Sequence, residues 1–224
     1  MSPYAKQDRL EFLERIGISP DARILEIGAD GNFLHFLEGK TEHDCVSLAA
    51  TASIAKGSKF IFSNEKTAVI VSVLDGAPFR DNTFDAVFSY QFLNLVSPEE
   101  LPGVFSETAR VLKKEGRFAF IVRSGTPLEE SQKYDLLLAE ILGSLDSFWM
   151  HEHEFLIKVL RESGFGDITM DVVKRKIQVP ERWIKLRIAS LREKGDSKKI
   201  KDYASRTEYN EGILPALQFV AKKR

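Results

Sequence analysis

The stretch RILEIGADGN, Arg23 to Asn32, decides the reading of this chain. Its apolar part, Ile24 to Ile27, is short and is broken at once by small and turn-forming residues, the pattern of a strand buried on both faces of a parallel sheet. Working outward, CVSL (Cys45 to Leu48), the β-branched AVIVSV (Ala68 to Val73), DAVFS (Asp85 to Ser89) and RFAFIV (Arg117 to Val122) read as four further strands. Between and around them lie helical patterns. Ala5, Leu10, Phe12, Leu13 and Ile16 recur at helical spacing from Tyr4 until Gly17 and Pro20 stop them. A short helix fits Phe33 to Leu37. Ser97 with Pro98 and Glu100 spells a capping box that starts a helix running to about Lys114, closed by Gly116. Further helices are expected over 128–145, 152–162 (closed by Gly164), 180–194 and 197–203, with extended chain at 167–179 and a last strand ALQFVA at 216–221.

Strands alternating with helices imply crossover units, so the expected architecture is α/β: a mostly parallel sheet with helices on both faces. In such sheets the ligand lies beyond the carboxyl ends of the strands, and the residues that follow strands one to five are the ones to inspect. No internal repeat and no low-complexity tract interrupts the pattern.

Composition bounds the function. At 224 residues the chain suits one large domain, and 43% hydrophobic residues with 16 Phe supply a sizeable core. Lys and Arg number 32 against 33 Asp and Glu, so the net charge of -1 makes no case for a polyanionic partner. Cys45 is the single cysteine, which excludes an intrachain disulfide or a thiolate zinc site and points to a reducing compartment, the cytoplasm. Lys6, Asp8, Arg9 and Glu11 interrupt the place where a signal peptide would need apolar residues, and no run of 18 apolar residues exists to span a membrane.

Three stretches carry a family likeness: ILEIGADGN (Ile24 to Asn32), APFRDNTFDAVFS (Ala77 to Ser89) and ARVLKKEGRFAFIV (Ala109 to Val122). In their order and separation they resemble the class I S-adenosylmethionine-dependent methyltransferases, especially the subgroup of quinone-biosynthesis and other small-molecule enzymes. The likeness covers about residues 20–125, and Gly164-Phe165 with ALQFVAKK is similar to the family's last two strands. It implies a Rossmann-like seven-stranded sheet whose last strand runs antiparallel, in a single domain over 1–224. Within that domain 1–20 would be a leading helix, 21–125 the cofactor-binding half and 126–224 the acceptor side, with a helical insertion at about 180–205. It also implies S-adenosylmethionine as cofactor and a small molecule as methyl acceptor.

Residue by residue, the resemblance assigns Glu26 to the acidic position that organises the glycine turn and the cofactor's amino end, followed by Gly28, Ala29, Asp30 and Gly31. Glycine at the first turn position lets backbone approach the cofactor. Asp30 and Asn32 stand where the family has its second and third glycines, and both tolerate the left-handed region. The acid that takes the ribose hydroxyls should lie 23 residues after Glu26, which is Ala49, and the adenine acid five residues before Pro78, which is Val73. Neither is acidic. Losing charged acceptors there weakens binding by about 1.5–3 kcal/mol, roughly 10- to 150-fold. Leu74 and Asp75 are the remaining candidates beside the adenine. Asp85 supports the fold. Ser89, Tyr90 and Gln91 close the fourth strand where cofactor and acceptor meet in relatives, and Arg123, ending the fifth, faces an anionic acceptor.

Outside these stretches, His151 and His153 alternate with Glu152 and Glu154 at a spacing of two, not the three or four of a helical metal pair, so no metal site is expected. From Lys174 to Lys201, 11 Lys and Arg face three acids, a local +8 that leaves -9 for the rest of a chain whose net is -1. No aromatic interleaving accompanies that charge, so nucleic acid is not the expected partner. Asp30 would oppose the pyrophosphate of a nicotinamide dinucleotide. The rival to the transferase is a non-catalytic relative that has lost its cofactor contacts.

Overall fold

The computed structural model describes residues 11–14, 16–29, 33–34, 37, 41–43, 45–52, 54–56, 67–123, 140–141, 148–178, 181–194, 198–205 and 211–224. Seven strands form one sheet: β1 (Ile24–Ile27), β2 (Cys45–Ala49), β3 (Thr67–Val71), β4 (Phe84–Tyr90), β5 (Leu112–Arg123), β6 (Phe165–Gln178) and β7 (Glu211–Lys223). Their order is β3-β2-β1-β4-β5-β7-β6. The first five run parallel, and β7 is inserted antiparallel between β5 and β6, as the sequence implied. Among the described residues, four helices with both ends in view accompany them: α1 (Leu101–Val111), α2 (His153–Glu162), α3 (Glu181–Lys194) and α4 (Lys198–Ala204).

Alternation along the strands divides the core between two faces. Leu25, Ile27, Val87, Phe118, Phe120 and Val122 join α1 and α2 on one side, where Phe105 meets Phe118 edge-on at 5.4 Å. Ile24, Ala86, Phe88, Tyr90, Ala119 and Ile121 join Phe12, Leu13, Ile16, Phe33, Leu34 and Leu37 on the other. A third small cluster ties α3 and α4 to Ile141 through Leu191 and Ile200.

Boundaries differ from the sequence reading in instructive ways. The capping-box bonds form, Ser97 N to Glu100 Oε2 at 3.1 Å and Glu100 N to Ser97 Oγ at 3.3 Å, yet they hold a turn, and α1 opens only at Leu101. Pro102 lacks an N–H and belongs in a first turn, which sets that start. The helix ends at Val111 because Leu112 already pairs with Phe84; a register shift follows before Arg117 meets Ala86. Gly116 lies in this irregularity, where a β-carbon would come 2.7 Å from the Lys113 carbonyl oxygen. Residues 11–14 and 16 of the leading helix are helical, whereas residues 1–10 and most of the helix expected over 128–145 lie outside the described residues.

Asp85 holds the base of the switch between β1 and β4. It accepts the Arg23 N–H at 3.0 Å and Lys113 Nζ at 2.7 and 2.9 Å. Burial alone would raise its carboxyl, but the Lys113 ammonium and the Arg23 N–H outweigh that and hold it below the ordinary carboxylate value. A lowered acid stabilises the fold above its unfolded pKa and loses that contribution as pH falls through the folded value. Asp85→Asn is therefore expected to cost about 0.5–1 kcal/mol at neutral pH. The variant should also lose less stability than the parent below about pH 4, as followed by urea melts against pH.

Candidate active site

Strand order reverses between β1 and β4, since β2 and β3 continue to one side and β5 to the other. Ligands of open α/β sheets bind at that switch point. Both strands leave it through left-handed corners: Gly28 and Ala29 have φ of +126° and +53° after β1, and Gln91 has φ of +54° after β4. Each corner extends its ladder by one bond, Gly28 N to the Leu48 carbonyl at 2.9 Å and Gln91 N to the Ile121 carbonyl at 2.8 Å.

Glu26 fixes the first corner. Its side chain is fully buried, and one oxygen, Oε2, accepts both the Ala29 N–H at 2.9 Å and the Ser47 hydroxyl at 2.6 Å. A left-handed alanine costs about 1–2 kcal/mol, and a charge-assisted bond to its own N–H offsets that. Gly28 has a second constraint: a β-carbon there would sit 2.6 Å from Cβ of Phe92, which lies across the corner from the segment after β4. The two corners are thus locked to each other. Asp30, Gly31 and Asn32 lie outside the described residues.

The flanking positions show what surrounds this turn. Ala49 is fully buried, its methyl packed with Ala29 and Ala55, and its carbonyl accepts the Ser72 N–H at 3.1 Å. Thr51 builds the helical turn that brings Ala55 there, accepting the Ile54 N–H on its hydroxyl and the Ala55 N–H on its carbonyl. Val73, at the adenine position, is 65% exposed. Leu74 packs on the core edge, and Asp75 is exposed with its Cβ close to Gly103 of α1. Ser89 is buried at the end of β4 with no hydrogen-bond partner for its hydroxyl. Tyr90 stacks on Phe33 at 5.5 Å and 20°.

Three residues not anticipated from sequence brace the site, Asn94 at the rim and Glu107 and Arg110 further from it. Asn94, buried after β4, accepts the Arg123 N–H at 2.8 Å and donates to the Trp149 carbonyl at 2.7 Å, while Trp149 N returns a bond to the Asn94 carbonyl at 2.8 Å. The guanidinium of Arg123 lies 5.9 Å over the Phe148 ring. Glu107 and Arg110 of α1 pin the loop before β4: Glu107 accepts the Ala77 N–H at 2.7 Å, and Arg110 binds Glu107, Asp81 and the Ala77 carbonyl. Arg110 holds the Glu107 carboxyl below its ordinary value against the opposing effect of burial, and Glu107 and Asp81 raise the guanidinium in turn. Asn94 is a lone polar residue inside the apolar run FLNLV, which was the available sign of it.

His151 precedes α2 and is buried with Nε2 3.0 Å from the Leu93 carbonyl oxygen; burial lowers its pKa, so it is a neutral packing residue here. The ligand atoms of Glu152, His153 and Glu154 come within 4.8 Å of one another, and His153 Nε2 lies 2.9 Å from Glu154 Oε1. They sit at the N-terminus of α2, whose dipole opposes a cation.

The sequence family described as "Methyltransferase domain" matches residues 25–120, the stretch that builds both corners. No curated protein matches the chain in sequence. Among solved structures, the YcgJ protein of Bacillus subtilis superposes with a TM-score of 0.71 at 18% identity, over 96% of this chain and 97% of that one. Phosphoethanolamine N-methyltransferase 2 of Haemonchus contortus, with phosphomonomethylethanolamine and S-adenosylhomocysteine, gives 0.64 at 18% over 99% of this chain and 54% of that one. Geranyl diphosphate C-methyltransferase of Streptomyces coelicolor, with Mg2+, geranyl diphosphate and S-adenosylhomocysteine, gives 0.62 at 13% over 97% and 77%. Residues 25–120 thus match a methyltransferase domain in sequence, and the chain as a whole shares the Rossmann-like fold of these solved structures. Ala49 and Val73, where the resemblance puts the ribose and adenine acids, offer no carboxylate.

Gly28→Ala meets both a forbidden φ and the Phe92 side chain. It is expected to lower unfolding stability by about 3 kcal/mol or more, read from urea melts; a loss below about 0.5 kcal/mol would contradict the locked corners.

Proposed function

We propose that the chain transfers the methyl group of S-adenosylmethionine to a small-molecule acceptor in the cytoplasm, as one domain with the cofactor on 21–125 and the acceptor on 126–224. The observation that carries the proposal is the pair of left-handed corners at the switch point, inside the stretch that matches the methyltransferase domain. Bound there, the cofactor supplies an electrophilic methyl on a sulfonium. Displacement at such a carbon needs proximity and alignment more than acid or base groups.

In this reading Glu26 holds the turn of Gly28, Ala29, Asp30 and Gly31 so that its backbone can follow the cofactor's amino-acid end. Ala49, Val73, Leu74 and Asp75 border the nucleoside, whose hydroxyls then rely on backbone groups. Ser89, with its buried hydroxyl unpartnered, and Tyr90 border the transferred methyl. Gln91 and Arg123 face the acceptor, Arg123 held by Asn94 and Phe148. The lone cysteine supports a reducing compartment. Among the described residues no helix is long and apolar enough to cross a membrane, and the small acceptors named for the two ligand-bound neighbours fit a small-molecule rather than a nucleic-acid substrate.

Calorimetric titration with S-adenosylmethionine and S-adenosylhomocysteine tests this. Saturable heat for both is expected, and no heat with no thermal shift at millimolar ligand would favour the non-catalytic relative. Ala49→Asp buries a carboxylate at the position that the ribose acid holds in the family. The variant should melt lower without ligand and bind the cofactor roughly tenfold tighter; unchanged or weaker affinity would remove the ribose from Ala49.

A further inference from the structure

Gln218 lies within β7, only 3% exposed, and its side-chain Nε2 has no hydrogen-bond partner. Strand register fixes its surroundings. It pairs with Ile121 of β5, which pairs in turn with Tyr90 of β4, and on the other side with Asp171 of β6. Residues in register across a sheet point to the same face, so these four form one row, on the side of the sheet where Tyr90 packs against Phe33. Two residues further along β5 that face carries Arg123, opposite Ala216. Tyr90 is the last residue of β4, which puts the row at the carboxyl rim where ligands of open α/β sheets bind.

A buried donor left unmade is costly, and folded proteins leave few of them without a protein, water or ligand partner. Aliphatic Ile121 and Ala216, beside and above Gln218, have no side-chain acceptor to give it, and the exposed Asp171 across the β6 register leaves Nε2 unbonded. We propose that Gln218 is a specificity residue for the methyl acceptor, its Nε2–H donating to an anionic oxygen, carboxylate or phosphate, that Arg123 on the same face matches in charge. This rests on the methyltransferase reading and adds to it the acceptor's chemical class.

The test uses 15N-labelled full-length protein loaded with S-adenosylhomocysteine, with the Gln218 side-chain amide assigned by its loss in Gln218→Met. Benzoate or phenyl phosphate is expected to move that resonance saturably, the one that does so telling carboxylate from phosphate, while neutral benzyl alcohol leaves it in place. Gln218→Met, similar in volume and without the unmatched donor, should melt at the parent's temperature or above. Melting several degrees lower would show that the protein itself holds the amide and would overturn the proposal. So would a resonance unmoved by both anions, or moved equally by benzyl alcohol, in protein that calorimetry shows to bind S-adenosylhomocysteine. Failure to bind S-adenosylhomocysteine at all is a separate outcome, which overturns the methyltransferase reading and this inference with it.

Discussion

A single carboxylate oxygen organises the site. Glu26 Oε2 takes the Ala29 N–H and the Ser47 hydroxyl together, and so joins the end of β1, the turn that follows and the neighbouring strand β2. Without it, the left-handed alanine has no compensation and the buried Ser47 hydroxyl loses its acceptor. Gly28 then fits under Phe92, which couples this corner to the exit from β4. Position, backbone path and strand order thereby converge on one crevice before any ligand contributes.

Other contacts keep that crevice in shape from further away. Asp85 ties β4 to Arg23 at the foot of β1 and to Lys113 at the end of α1. Glu107 and Arg110 anchor the loop that enters β4, and Asn94 joins the exit from β4 to the end of β5 and to Trp149. Arg123 at the end of β5 is thereby tied to the exit from β4 through its own backbone N–H.

Much of this was legible in the residues. Runs such as ILEI and AFIV are too short for helices and too apolar for exposed strands, so the parallel sheet followed from them; the family-like stretches then identified the antiparallel last strand. The absent acids at Ala49 and Val73 were visible by counting. What counting could not show is that Ala49 packs with Ala29 and Ala55, because that depends on the Thr51 turn. Nothing in the sequence marks Glu107 and Arg110, three apart on a helix, from a solvated pair; only the loop packed against them reveals their task. Gln218 sat unnoticed in an apolar strand because hydrogen-bond satisfaction is a property of the packed interior.

A crystal structure of the chain grown with S-adenosylhomocysteine would decide whether the two corners at the switch point hold the cofactor. The ligand is expected to lie across the carboxyl ends of β1 and β4, its amino-acid end along the Gly28–Ala29 turn and Glu26 still bonded to Ala29 N and Ser47. Ligand bound elsewhere, or a Glu26 that abandons both partners to receive it, would contradict the account.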